Sequence, residues 1–201
     1  MDKPIIISVS REFGSGGHVI ASSLAQEFNL PLYDKNILNK IAAEHGCDPK
    51  LLHHYDEKPR NLLMSRKVKG YCNSNEAIVA NLQFSYLRER AEAGESFVVL
   101  GRCSDEVLKD FAHVVTIFVL ADIGFKKERT MDREQLSEAA ALDLMHKRDM
   151  QRKYYHNQYC RGKWGDSRNY DLCINSAKLG ILGTADFLKE YIKTRLHALS
   201  E

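Results

Sequence analysis

The sequence lacks several features that would place it quickly. No apolar run approaches the ~20 residues a bilayer-spanning helix needs. Asp2-Lys3 precedes a strand-like run of only about half a dozen residues, not an export signal. This reading expects a soluble, cytoplasmic protein with no membrane partner. The five cysteines, Cys47, Cys72, Cys103, Cys160 and Cys173, contain no CxxC pair and no zinc-type spacing, and so read as reduced thiols. A charge excess is also missing. The 29 Lys+Arg face 27 Asp+Glu, a net charge of +2 that gives no global pull toward nucleic acid, so any anion binding is local. No internal repeat or low-complexity tract interrupts the 201 residues, enough for one substantial core, and a single domain over 1–201 is expected.

What is present is an alternation. Ile5 to Val9, Phe97 to Leu100, Val114 to Leu120, the weaker Leu172 to Ile174 and the very short Leu32-Tyr33 read as strands. They are mostly rich in β-branched residues and lack strict polar alternation, as befits strands covered on both faces. Between them lie helical patterns: Ile20, Leu24 and Phe28; Ile37, Leu38 and Ile41; Ile78, Leu82 and Leu87; and finally Leu188, Tyr191, Ile192 and Leu196. Strands alternating with helices predict an α/β fold with a parallel sheet flanked by helices. Two stretches break the rhythm. Residues 47–73 read as an irregular or partly helical excursion. Residues 122–169 are highly charged, with a long helix predicted from Ser137, as N-cap, to Tyr159.

The chemistry concentrates in Arg11-Glu12-Phe13-Gly14-Ser15-Gly16-Gly17-His18, which joins the first strand to the first helix. Free backbone N–H groups and a helix dipole converge there, which suits a phosphate. A standard phosphate loop reads GxxxxGK[ST]. With Gly16 as its second glycine, Arg11 stands at the first, Gly17 at the lysine and His18 at the hydroxyl residue. The loop keeps its glycines and loses its point charge, which Arg11 or an arginine from elsewhere is expected to replace. A bland strand-to-helix glycine turn is the competing reading.

Ser10 to Gly17 with Ile20-Ala21, then Pro31-Leu32-Tyr33-Asp34-Lys35 and Ile37-Leu38, resembles the start of the cytidylate kinase-like family of bacterial P-loop proteins. Gly101-Arg102-Cys103 and Tyr170 to Asn175 extend the resemblance over nearly the whole chain. It implies a three-layer fold of the P-loop nucleoside-triphosphate-hydrolase type, with a parallel five-stranded sheet and a helical lid. It also implies an acceptor-binding region near 47–87 and a lid near 122–169. Arg148-Asp149 with Arg152 resembles the lid pattern in which two arginines clamp nucleotide phosphates.

The expected activity is ATP- and Mg²⁺-dependent transfer of a γ-phosphate to a small acceptor, CMP or another nucleoside monophosphate, with no nucleic acid involved. The alternative is a non-catalytic nucleotide- or anion-binding regulatory protein on the same fold. Arg11, Gly14, Ser15, Gly16, Gly17 and His18 are the candidate phosphate cradle, with Arg102, Arg148, Arg152 and Asp34 the candidate catalytic residues. Ser15 and Glu12 are candidate Mg²⁺ ligands. Several of these keep two readings. Arg102 meets either an anionic ligand or a nearby carboxylate; Asp34 either serves chemistry or caps a helix; Glu12 holds metal or turns to solvent. Arg129 and Arg133, also four apart, are a second arginine pair. Trp164 stacks on a base or anchors its loop, and His156 and Cys160, four apart, are too few for a metal site.

Overall fold

The computed structural model describes residues 4–58, 67–68, 71–72, 74–111 and 113–200. Five parallel strands, β1 (Ile6–Arg11), β2 (Leu32–Tyr33), β5 (Phe97–Leu100), β6 (Val114–Leu120) and β7 (Leu172–Asn175), form one sheet in the order β2-β5-β1-β6-β7. The two-residue strands β3 (Lys67–Val68) and β4 (Tyr71–Cys72) pair separately and antiparallel. The sequence pattern gave no sign of them. The rest of the irregular stretch, 59–66, 69–70 and 73, lies outside the described residues.

Alternation along each strand sends side chains to two helix-covered faces. Ile6, Phe97 and Val99 meet Ile37, Leu38 and Ile41 of α2 (Ile37–His45), and Phe84 and Leu87 of α4 (Asn75–Glu92). Ile7, Val9, Val98, Val115 and Ile117 meet Ile20 and Leu24 of α1 (Gly17–Glu27), and Leu188 and Ile192 of α8 (Ser176–Ser200), which is broken at Gly180. Each fully buried Ile or Leu contributes roughly 1.5–3 kcal/mol. Cutting Leu24, which has no exposed surface, to alanine should cost about 2–5 kcal/mol. The face expected for α4 is turned slightly: Ile78 is 46% exposed, and the buried stripe runs through Ala77, Ala80, Phe84, Leu87 and Ala91.

Three local features position the site. Asp48, with Pro49 behind it, caps the short α3 (Pro49–His54) by accepting from the Lys50 amide, and the chain then passes through Asp56 and Glu57. The turn after β5 leads into α5 (Ser104–Val107). The charged stretch forms a helical hairpin, α6 (Ile123–Glu134) and α7 (Glu138–Tyr159), turned by Gln135 in the left-handed region at φ 54° and capped by Ser137 as expected. Among the described residues, no helix is long and apolar enough to cross a membrane.

Candidate functional site

Gly14 and Gly16 adopt φ of 84° and 82°, which lets the loop fold tightly between β1 and α1. A Cβ on Gly14 would stand 2.9 Å from the Lys126 carbonyl oxygen, so α6 packs directly on the loop. Gly17 opens α1, and a Cβ there would lie 2.6 Å from the Cβ of Arg11. The arginine at the end of β1 thus fills the space into which the usual lysine would grow. Its guanidinium continues toward Gly101, where a Cβ would collide with Arg11 Nη1, and donates to Glu57 Oε1 at 3.2 Å.

Glu57 is the anionic centre of this group. Arg102 Nη1 donates to it at 2.6 Å, Arg11 reaches it from β1, and Arg152 Nε of α7 stands 3.9 Å away. Burial pushes the Glu57 carboxyl up, but Arg11, then Arg102 and Arg152, outweigh it and hold the carboxyl well below the usual range. Arg102, 3% exposed, also donates to Asp56 Oδ2 at 2.8 Å. Of the two readings of Arg102, the nearby carboxylates are the contacts present. Arg152 is pressed the other way: burial, then the charge of Arg11, pushes its guanidinium down to about 9. Glu57 and Asp149 oppose that shift without cancelling it.

α7 is docked on the loop. Asp149 Oδ1 accepts from the Phe13 amide at 2.6 Å, and Arg152 Nη1 donates to the Arg11 carbonyl at 3.3 Å. Two guanidiniums lie over the Phe13 ring, Arg133 at 4.9 Å from its centroid and Arg152 at 5.7 Å. A cleft of about 450 Å³ opens over the loop, lined by Arg11, Glu12, Phe13, Gly14, Gly16, Gly17 and His18, with Asp34, Lys35, Asp56, Glu57 and Arg102 on one side and Arg129, Arg133 and Arg152 on the other. Five arginines and Lys35 against four carboxylates leave these walls net positive. Arg129 has its Nε buried without a hydrogen-bond partner, and burial, then Arg133, lowers its pKa.

The expected site residues fall in different places. Gly14, Gly16, Gly17, His18, Arg11, Asp34, Arg102 and Arg152 all line the cleft. Arg148 does not; it is exposed and borders an adjoining chamber of about 310 Å³ with Lys35, His53, Asp56 and Gln151. One helical turn separates it from Arg152, which borders both chambers. Ser15 has no exposed surface, and its hydroxyl donates to the Glu12 carbonyl at 2.8 Å. Glu12 is not turned to solvent. Its Oε2 accepts from Lys126 Nζ at 2.9 Å and from the Ala121 amide at 3.3 Å. Asp34 Oδ1 accepts from the Asn36 amide at 2.8 Å in the turn before α2, whose N-cap is Asn36 and not Asp34, while Oδ2 meets His18 Nε2 at 3.1 Å in the cleft. Trp164 packs edge-on against Phe118, its loop held by the Asn157 side chain.

Sequence reasoning missed Asp56, Glu57 and Lys126. The carboxylates sit in a stretch whose polarity looked like loop chemistry, and Lys126 sits in a basic run that looked like surface. Arg129 and Arg133 carried a usable signal in their four-residue spacing.

A glycine loop between β1 and α1, under the carboxyl ends of a sheet ordered β2-β5-β1-β6-β7, defines a P-loop kinase fold. Shikimate kinase from Bacteroides thetaiotaomicron shares this fold, with a TM-score of 0.57 at 15% identity over 94% of this chain and 98% of that one. The chain belongs to the cytidylate kinase-like family, whose profile matches residues 6–178. A cytidylate kinase from Pyrobaculum islandicum is 24% identical over 194 residues, 96% of this chain and 95% of that protein. A crystal structure of an uncharacterized protein from Eubacterium ventriosum is 38% identical, with a TM-score of 0.75 over 94% of this chain and 98% of that one.

Proposed function

We propose that the protein transfers the γ-phosphate of ATP to a nucleoside monophosphate, CMP or a close analogue. The observation that carries this reading is the convergence of Arg11, Arg129, Arg133 and Arg152 on the glycine loop with too little negative charge among them. Phosphoryl transfer is catalysed chiefly by positioning and by cations around the transferred group, and guanidiniums grip phosphate bidentately.

The amides of Gly14 to His18 cradle the donor phosphates, with Arg11 in place of the loop lysine. Arg129, Arg133 and Arg152 close from the α6–α7 hairpin, which acts as the lid. The acceptor enters the adjoining chamber, where Arg148, Lys35 and His53 meet its phosphate and Asp34 faces the reacting centre. Mg²⁺, when bound with the donor, would neutralise phosphate charge. The oxygen donors that would hold it are Asp34 and Glu12, which border the loop; the Ser15 hydroxyl is buried and donates to the Glu12 carbonyl. This reading keeps the cytoplasmic location expected from the sequence, since ATP and nucleoside monophosphates meet there.

Incubation with ATP, Mg²⁺ and a panel of nucleoside monophosphates tests this reading. Formation of ADP and one nucleoside diphosphate is the expected result. The absence of an ammonium group at position 17 favours a second reading, a nucleotide-binding regulatory protein, and ATP binding without transfer to any acceptor would select it.

A further inference from the structure

Away from the cleft, the C-terminal end of α7 carries His156 and, one turn on, Cys160. Facing them, the turn after β5 supplies Cys103 and Asp105. His156 Nε2 and Asp105 Oδ2 are 2.7 Å apart, and one ligand-capable atom from each of Asp105, His156 and Cys160 lies within 4.8 Å of the others. Cys103, 3% exposed, has its thiol in hydrogen-bonding contact with that of Cys160.

Two features distinguish this group from an ordinary buried pair. The Asp105 and His156 side chains are each only 5% exposed, yet Asp105 Oδ1 and His156 Nδ1 have no hydrogen-bond partner. Buried polar atoms are normally satisfied, so orphaned lone pairs in one spot point to something else they serve. In addition, Gly101, Arg102 and Cys103 adopt consecutive positive φ of 76°, 63° and 53°. Non-glycine residues hold that conformation only where surrounding contacts impose it, and such strain gathers at functional sites. Here it turns Arg102 toward the cleft and Cys103 toward Cys160.

We infer that Asp105, His156 and Cys160 form a three-residue binding site for a single zinc-class divalent ion, with water in the fourth position and the Cys103 thiol beside Cys160 outside the ligand set. A thiolate, an imidazole and a carboxylate, completed by a water, are a donor set that suits four-coordinate zinc, whereas Mg²⁺ and Ca²⁺ select oxygen. Binding needs no redox partner. The Cys160 thiol releases its proton to solvent, His156 binds through one unprotonated ring nitrogen and keeps one N–H, the Asp105 carboxylate binds as an anion, and three bonds from the protein to the metal form. The ion joins the turn that carries Arg102 to the helix that carries Arg152. It therefore fixes the spacing of two arginines around Glu57 without touching the reacting phosphates.

The test is a titration of the reduced, chelator-treated full-length protein with Co²⁺ and then Zn²⁺. One Co²⁺ should bind with thiolate-to-cobalt charge-transfer absorption and tetrahedral visible bands, one Zn²⁺ should displace it, and the melting temperature should rise. Cys160→Ser, at a half-buried position, and His156→Gln should each weaken Zn²⁺ binding by at least about tenfold. Circular dichroism checks that each variant is folded; if one is not, the wild-type spectrum decides alone. Cobalt bands without thiolate character would overturn the assignment. So would a spectrum unchanged in folded Cys160→Ser, or a Cys103–Cys160 disulfide in protein that binds no cobalt after reduction.

Discussion

Arg11 and Gly17 exchange the roles their counterparts have in a standard phosphate loop: the cation stands at the end of β1, and the glycine stands where α1 begins. The exchange is steric, because a Cβ at position 17 would sit 2.6 Å from Arg11 Cβ. Gly17→Lys alone should therefore overpack the loop and cost about 1–3 kcal/mol of stability. Combined with Arg11→Gly it restores the usual order, and stability and ATP affinity should both recover. Chemical denaturation and calorimetry of the two variants measure this. A Gly17→Lys protein as stable as wild type would show that the two positions are not coupled.

Glu57 occupies the centre of three guanidiniums, where an incoming phosphate would compete with it. Glu57→Gln should leave Arg11, Arg102 and Arg152 under-compensated, lowering stability without ligand and raising affinity for pyrophosphate by about tenfold, or ~1.4 kcal/mol. Thermal shift with and without pyrophosphate gives both quantities. Weaker pyrophosphate binding in this variant would mean that Glu57 supports the anion site instead of competing for it.

The same residue sets an acid dependence. Its folded pKa lies below the unfolded value, so its stabilisation is fully present above the ordinary glutamate range and is lost as pH falls through the depressed folded value. The stability gap between wild type and Glu57→Gln should be constant above about pH 5 and shrink under stronger acid. Urea midpoints across that range measure it, and a gap that widens on acidification would reverse the assigned sign.

Asp149 ties α7 to the loop through the Phe13 amide. Asp149→Ala leaves that N–H and Lys126 without this carboxylate, at a cost of about 1–3 kcal/mol. Amide exchange at Phe13 should accelerate, while core amides of β1 and β6 stay protected. Unchanged exchange at Phe13 would show that the contact does not hold the loop.

The sheet was legible because its strands are apolar on both faces. Phe97–Leu100, Val114–Leu120 and even Leu32–Tyr33 have the bounds the sequence suggested. The loop was legible because glycine is the residue that such φ values require. The contest between Arg148 and Arg129 for the cleft was not. Four-residue spacing gives each arginine pair a common helix face, but only the packing of α6 on Gly14 decides which face meets the loop. Glu57 was hidden for a similar reason. Its partners are 46, 45 and 95 positions away, and no local pattern marks a carboxylate that three distant guanidiniums will surround.

Arg129 and Arg148 separate the two chambers. Arg129→Ala should lower kcat/KM by about a hundredfold through lost stabilisation of the transferred phosphate. Arg148→Ala should act mainly on the acceptor KM. Steady-state kinetics with each substrate varied distinguishes them, and an equal loss in both variants would place Arg148 in the donor site.

The decisive measurement is calorimetric titration of wild-type protein and Arg11→Ala with ATP and Mg²⁺. Wild type should bind, and Arg11→Ala should bind at least about tenfold more weakly, since the guanidinium stands in for the missing ammonium group. Equal affinity in the two proteins, or no binding by wild type, would contradict a phosphate cradle built on Arg11.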